Sequence, residues 1–205
     1  DAGKRENLEQ ANKHYQNGDM IKSLDNIEKI LGRDHLIGEI AEIFTNTSKS
    51  ESEIYKILAS WPFKFFMTTN YDSLLMEYLE RSGIAAVEKG NSYEEIITIH
   101  SSVRNVIYKI HGDFSSPDTI IITTRDYEKL CSNKDFEYWR EKIRSAFHSF
   151  PILIVGYSAN DPDFREQLEY AREFADPNRP ICMIVSDISP SDSSEFAEQN
   201  ILIIP

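Results

Sequence analysis

The sequence predicts an α/β fold in which a mostly parallel sheet has flanking helices and a helical segment precedes the sheet. Two patterns in the 205 residues support this fold. Residues 4–59 place apolar side chains at helical spacing, and from residue 63 onward short apolar runs alternate with amphipathic ones. Strands that alternate with helices favour βαβ crossovers, and therefore parallel pairing of the strands.

The helical segment divides into four predicted helices. Residues 17–19 and 32–34 contain glycine next to polar residues, which favours breaks between the first three helices. A Trp-Pro pair at 61–62 ends the fourth, because proline disfavours helical backbone at the residue before it. We expect residues 1–60 to form a helical cap that is part of the same domain as a core over residues 61–205.

The rest of the chain predicts strands and helices in turn. Predicted strands cover residues 63–68, 84–88, 96–99, 105–110, 119–123, 151–156, 180–186 and 201–204. Predicted helices cover residues 73–82, 124–131, 135–149, 162–174 and 191–199. The run 151–155 contains no polar residue, which is typical of a central strand buried on both faces.

Composition limits the location and the partners of the protein. The formal net charge of -12 repels nucleic acid and anionic membranes, so it disfavours direct nucleic-acid binding by this segment. The sequence has no run of about 18 apolar residues, the length that a membrane-spanning helix needs. Cys131 and Cys182 are the only cysteines and lack metal-ligand spacing. We expect them to be reduced, which favours a cytoplasmic protein with no metal.

Three predicted strands end in polar loops that lead toward a helix. In an open α/β sheet, ligands bind outside the carboxyl ends of the strands, where such loops gather. We therefore expect polar residues from the three loops to line one crevice. The candidates are Asn70, Asp72, His111, Gly156 and Ser158.

Each candidate has a structural interpretation beside the functional one. Asp72 precedes an amphipathic run, where a carboxylate commonly caps a helix, and Asn70 beside it is typical of a turn. His111 is either an ordinary hydrogen-bonded loop residue or a base that moves a proton near neutral pH. Gly156 and Ser158 favour contact with a ribose hydroxyl or phosphate, because a bulky side chain there would block the approach.

Taken together, the loops resemble the sirtuin superfamily, and specifically the zinc-free sirtuin-like domains of bacterial anti-phage defence proteins. The resemblance covers about residues 60–205 and is strongest at residues 65–72, 107–113 and 154–165, with further likeness at 121–127 and 199–205. It implies a Rossmann-like sheet that binds NAD and an activity that breaks the bond between nicotinamide and ribose.

The resemblance also implies roles for individual residues. Asn70 orients the nicotinamide ribose or the attacking water, and His111 acts as the general base. Asp72 contacts the nicotinamide end of NAD, and Gly156 and Ser158 line the adenosine side. The full set that the resemblance implies for NAD binding is Thr68, Thr69, Asn70, Asp72, His111, Gly156 and Ser158.

The sequence departs from the family pattern in two ways. The first strand and glycine-rich loop that open the family have no clear counterpart here, since the sequence begins at Asp1. The zinc ribbon of deacylating sirtuins is also absent, which favours water over an acyl-lysine as the acceptor. We therefore expect an NAD hydrolase that depletes NAD during phage infection. Such an activity requires restraint by homo-oligomerisation, a fused domain or a partner protein.

Three other functions remain open at this point. A sensor would bind NAD or ADP-ribose without cleaving it. A protein deacylase would consume NAD only with an acylated peptide. A structural domain would assemble a larger machine, and its candidate site residues would be dispensable.

Overall fold

The computed structural model describes residues 2–46, 51–100, 104–156, 181–184 and 201–204. The chain divides into two compact units, Asp1–Lys129 and Leu130–Pro205. In both units the described strands pair in parallel, and in the first unit helices lie between the strands along the chain. This confirms the predicted α/β class with a Rossmann-like arrangement of parallel strands and flanking helices. The division into a cap over 1–60 and a core over 61–205 stays a prediction.

The first unit begins with the four helices that the sequence predicts. They are α1 (Ala2–Gln16), α2 (Met20–Leu31), α3 (Arg33–Asn46) and α4 (Glu53–Ser60). Asp19 caps α2 by accepting a hydrogen bond from the Lys22 amide at 3.2 Å, and Gly32 ends it with a φ of +83°. The predicted breaks at 17–19 and 32–34 are therefore confirmed.

A three-stranded parallel sheet follows these helices. Its strands are β1 (Phe65–Thr68), β2 (Val87–Lys89) and β3 (Val106–Lys109), with β3 in the middle. Helix α5 (Leu74–Arg81) connects β1 to β2, and the short helix α6 (Tyr93–Ile96) with the 3-10 turn Ile97–His100 lies between β2 and β3. All four residues of β3 are buried, so this strand is the centre of the first unit.

Two buried clusters support this sheet and the helices around it. Ile107 of β3 packs with Tyr78 and Leu79 of α5 and with Ala59 of α4. A second cluster joins Ile37 of α3 to Ile120 and Ile122, which precede helix α7 (Thr124–Ser132). The N-terminal helices therefore share a core with residues that follow β3.

Two predicted strands are wrong. Residues 96–99 form the end of α6 and a 3-10 turn, because Ser92 and Thr98 hydrogen bond to Glu95 and close helical turns there. Residues 119–123 form no strand: a 3-10 turn (Pro117–Thr119) is followed by irregular backbone. The predicted strand at 84–88 forms at Val87–Lys89.

The second unit contains helix α8 (Glu137–Ser149), preceded by the 3-10 turn Lys134–Phe136, and three parallel strands. The strands are β4 (Ile152–Val155), β5 (Ile181–Ile184) and β6 (Ile201–Ile204). Among the described strands β5 lies in the middle, and Ile154 is the one buried residue of β4. That 151–155 is a central strand buried on both faces stays a prediction. The predicted helices at 162–174 and 191–199 lie outside the described residues.

Within the described ranges, no helix combines the length and apolar character needed to cross a membrane. Neither Cys131 nor Cys182, both of which are described, takes part in a disulfide bond.

Candidate active site

The register of the first sheet brings two candidate residues to neighbouring strand ends. Thr68 of β1 pairs with Lys109 of β3, and the Ile110 amide donates to the Thr68 carbonyl at 3.0 Å. Asn70 and His111 each lie two residues beyond this pair. Since adjacent strands are about 4.8 Å apart, the two loops leave the sheet from neighbouring strand ends.

Asn70 is exposed and is held by two hydrogen bonds. Its backbone amide donates to Thr68 Oγ1 at 3.1 Å, which closes a tight turn after β1. Its side-chain Nδ2 donates to Tyr55 Oη of α4 at 3.2 Å. Thr69, between Thr68 and Asn70, is half-buried. Asn70 is thus a turn residue, and its side chain is held in place by α4.

Asp72 precedes Ser73, the N-cap of α5, so it is not the N-cap itself, but its carboxylate does accept a backbone N–H at the helix start. Its Oδ1 accepts a hydrogen bond from the Leu74 amide at 2.9 Å, where α5 begins. A carboxylate at this end of a helix is favoured by the helix dipole.

Burial raises the pKa of Tyr55 above its ordinary value, and the charge of Asp72 raises it further, against an opposing effect of the hydrogen bond from Asn70.

His111 is buried, with 3% of its surface exposed. Its backbone carbonyl accepts a hydrogen bond from Ile121 at 2.9 Å, and its ring packs edge-on against Tyr127 of α7 at 5.5 Å. A base at a strand end is expected to be exposed or half-exposed, and the His111 side chain is neither. The residues that follow fold back over the strand end and cover the imidazole.

Gly112 makes this fold-back possible. Its φ is +91°, and a Cβ built on it would lie 2.2 Å from the Thr119 carbonyl oxygen. The Asn91 side chain joins the two ends of the loop, because its Nδ2 donates to the carbonyls of Ile110 and Thr119 at 3.2 and 3.0 Å. The glycine therefore serves a close contact within the protein rather than an approach by a ligand.

A buried lysine connects the two strand-end loops. Lys109 is 2% exposed, and its Nζ donates to the Tyr71 carbonyl at 3.1 Å and to Ser73 Oγ at 3.2 Å, both in the loop after β1. The same Nζ contacts Asp113 Oδ2 at 2.6 Å in the loop after β3, and Glu88 Oε2 of β2 at 3.3 Å. Lys109 thereby fixes the loop of Asn70 relative to the loop of His111.

Sequence reasoning missed both Lys109 and Tyr55 as parts of this site. The signal for Lys109 is its charge within the otherwise apolar run 106–110. Tyr55 gave no signal, because it lies on a different helix and reaches Asn70 only through the tertiary fold.

The second unit contains the remaining candidates. Gly156 follows β4, is exposed, has a φ of +67°, and would have no atom within 4 Å of an added Cβ. Ser158 lies outside the described residues. That Gly156 and Ser158 share a crevice with Asn70 and His111 therefore stays a prediction. No cluster of three or more metal-binding side chains occurs in the described ranges.

The two strand-end loops carry an exposed amide, a carboxylate near a helix N-terminus and a buried imidazole. Polar groups held in fixed positions can stabilise charge that develops in a transition state. An amide can orient a hydroxyl or a water molecule, and an imidazole can accept its proton. Such an arrangement suits cleavage of a bond by water.

Comparison with known proteins places this arrangement in a family. The family model described as "SIR2-like domain" matches residues 64–204, which include both strand-end loops. The chain belongs to the SIR2-like domain family. The sirtuin resemblance drawn from the three loops is therefore confirmed.

This SIR2-like domain is similar to curated bacterial proteins named "NAD(+) hydrolase ThsA". It is 30% identical to the protein from Enterococcus faecium over 72% of this chain, and 30% identical to that from Bacillus cereus (strain MSX-D12) over 70%. A third, from Acinetobacter baumannii (strain 532279), is 34% identical over 53% of the chain. The matched segments are 31%, 30% and 22% of the three relatives, so the chain spans less than a third of their length.

Proposed function

We propose that this SIR2-like domain hydrolyses NAD to nicotinamide and ADP-ribose. The observation that carries the proposal is the position of Asn70 and His111 at adjacent strand ends, with Lys109 joining their loops. The similarity to proteins named NAD(+) hydrolase supports the same activity. NAD is the substrate, and the mechanism requires no metal.

The proposed reaction replaces one bond to the ribose by another. The bond between ribose C1′ and the nicotinamide nitrogen breaks, and its electron pair leaves with nicotinamide. Positive charge develops on the ribose, and fixed dipoles around it lower the barrier. The oxygen of a water molecule oriented by Asn70 bonds to C1′, and its proton passes to His111 and then to solvent.

The other candidates contact the substrate in this proposal. Thr68 and Thr69 line the nicotinamide side beside Asn70, and Asp72 contributes its carboxylate there. Gly156 and Ser158 contact the adenosine side. Water is the acceptor because the sequence has no zinc ribbon to frame a peptide channel.

The proposed biological role is the depletion of NAD in a bacterial cell during phage infection. The resemblance to anti-phage defence domains supports this role, and we propose a cytoplasmic location with it. Because free NAD hydrolysis would harm a healthy cell, we propose restraint by homo-oligomerisation, a fused domain or a partner protein. The charge of -12 disfavours nucleic acid as the direct partner of this segment.

The test is release of nicotinamide from NAD by the full-length protein. We expect Asn70→Ala to abolish release while the thermal unfolding midpoint stays unchanged, because the side chain is exposed. Asn17→Ala is the matched control, since Asn17 is also an exposed turn residue, between α1 and α2. Equal activity of Asn70→Ala and the wild type would contradict the proposal.

The same assay separates the alternative functions. Binding of NAD without nicotinamide release under any activating condition would identify a sensor. Release only in the presence of an acetylated peptide would identify a deacylase. Loss of assembly on deletion of the domain, with Asn70→Ala fully functional, would identify a structural role.

A further inference from the structure

Tyr55 occupies a position from which it can control the chemistry of Asn70. It lies on α4, and its Oη accepts the hydrogen bond from Asn70 Nδ2 at 3.2 Å. Its ring packs at the edge of the buried cluster around Ile107, 5.7 Å from the ring of Tyr78. The hydroxyl is therefore presented to Asn70 from a packed ring on a regular helix.

A carboxamide has two chemically different ends. The NH2 end donates hydrogen bonds and the oxygen end accepts them, and the two exchange places when the group rotates by about 180°. An asparagine that orients a water molecule or a ribose hydroxyl needs its oxygen to accept from that group. In the described structure, the hydrogen bonds to Asn70 engage its backbone amide and its Nδ2. Oδ1 is consequently the end that remains for a ligand.

The surroundings of Tyr55 favour the neutral phenol as the partner. Burial raises the pKa of its hydroxyl, and the nearby carboxylate of Asp72 raises it further. A neutral phenol retains an acceptor oxygen for the Asn70 amide over the physiological pH range. No described side chain other than Tyr55 accepts a hydrogen bond from Asn70 Nδ2.

We propose that Tyr55 is a positioning residue that holds the Asn70 carboxamide with its oxygen toward the substrate. This inference rests on the proposed NAD hydrolysis, in which Asn70 orients the attacking water or the ribose. Tyr55 itself need not touch NAD. Its contribution is to exclude one of the two orientations of the amide. The Asn70 oxygen is then always the end that faces a bound substrate.

The test compares Tyr55→Phe with wild type in the full-length protein, by kcat and KM for nicotinamide release. The phenylalanine ring keeps the packing against Tyr78 and loses only the hydroxyl. We expect kcat to fall about tenfold and KM to stay within about twofold, since the orientation matters for the reacting atoms rather than for overall binding. Tyr15→Phe is the control, because Tyr15 is an exposed tyrosine on α1.

A second background shows whether Tyr55 acts through residue 70. In Asn70→Asp the two carboxylate oxygens are equivalent, so rotation of the group no longer changes what it presents. Adding Tyr55→Phe to this variant should change kcat by less than about twofold. An equal loss in both backgrounds would overturn the inference, because Tyr55 would then act independently of Asn70.

Two further outcomes distinguish a failure of the role of Tyr55 from a failure of the proposed function. A wild-type protein that releases nicotinamide, with a Tyr55→Phe variant of equal kcat, overturns the role of Tyr55 and leaves the proposed function intact. A wild-type protein that releases none under any activating condition overturns the proposed function and this inference together.

Discussion

Gly112 holds the loop after β3 in a conformation that other residue types adopt only with strain. We expect Gly112→Ala to lower the unfolding midpoint strongly, because its methyl group would overlap the Thr119 carbonyl and its φ is positive. Gly18→Ala is the control: its φ of +78° carries the same kind of strain, about 1–3 kcal/mol, with no atom within 4 Å of the new methyl. Thermal unfolding measures the midpoint of both variants. Similar decreases in the two midpoints would contradict the close contact between residue 112 and the Thr119 carbonyl.

The two proposed catalytic side chains differ in burial, so their substitution should affect stability differently. His111→Ala should abolish nicotinamide release and also cost about 1–3 kcal/mol of unfolding free energy, because it leaves a cavity beside Tyr127. Asn70→Ala should abolish release with little effect on stability. Chemical denaturation of both variants beside the wild type measures the difference, and equal stability of the two variants would contradict it.

Residue-scale prediction from the sequence succeeded where the signal is local. Asn70, Asp72 and His111 directly follow apolar runs, so their place at the strand ends follows from the order of the chain. Tyr55 and Lys109 depend on partners 15 and 38 residues away, at Asn70 and Tyr71. No local pattern encodes such pairs, and the burial of His111 depends on a loop closure of the same kind.

At the scale of the element, strand β3 depends on one charged side chain in its buried interior. Lys109→Met should lower the unfolding free energy by about 3–5 kcal/mol, because Glu88 and Asp113 would lose their buried positive partner. Lys56→Met is the control, since Lys56 of α4 forms ion pairs with the exposed residues Glu51 and Glu53, which should contribute little to stability. Denaturant unfolding measures the unfolding free energy of both variants. A Lys109→Met variant as stable as Lys56→Met would contradict the structural role of Lys109.

The ion pair between Lys109 and Asp113 also predicts how stability depends on pH. Burial would raise the pKa of Asp113, but the hydrogen bonds from Lys109 and Ser115 outweigh it and hold the pKa below its ordinary value of 3.8. A carboxyl group with a lowered pKa adds stability above the ordinary value, and this contribution is lost as the pH falls through the folded-state pKa.

The stability difference between wild type and Asp113→Asn should therefore be constant above about pH 5 and shrink below the ordinary carboxyl pKa. Denaturant unfolding from pH 7 to pH 2 measures this difference. A difference that grows as the pH falls would contradict the assigned direction.

The failure of the strand prediction at 119–123 has a physical cause. The run Ile120-Ile121-Ile122-Thr123 is apolar and β-branched, as a strand requires. Its backbone groups instead bond elsewhere: the carbonyls of Ile120 and Ile121 accept from the side chains of Arg33 and Tyr71, and the amides of Ile122 and Thr123 donate to Asp126. Arg33 lies 87 residues from Ile120, so no local pattern reveals this arrangement.

At the scale of the whole molecule, the N-terminal helices determine how α7 is held, and α7 contacts His111. Arg33 Nη1 donates to Asp126 Oδ2 at 2.7 Å, and that carboxylate also accepts from the amides before α7. Asp25 Oδ1 of α2 accepts from the Thr124 amide at 2.8 Å, at the start of α7. Tyr127, one turn further along α7, packs against the imidazole of His111.

This connection predicts that a substitution on α2 alters the start of α7. Asp25→Ala removes the acceptor for the Thr124 amide, a loss comparable to that of a helix N-cap, about 1 kcal/mol. Hydrogen exchange at Thr124 should therefore accelerate about fivefold, and nicotinamide release should fall as Tyr127 loses its fixed position. Asp34→Ala is the control, because Asp34 is an exposed acidic residue in the first turn of α3. Unchanged exchange at Thr124 in Asp25→Ala would mean that the N-terminal helices do not position α7, and that the surroundings of His111 are set by the residues after β3 alone.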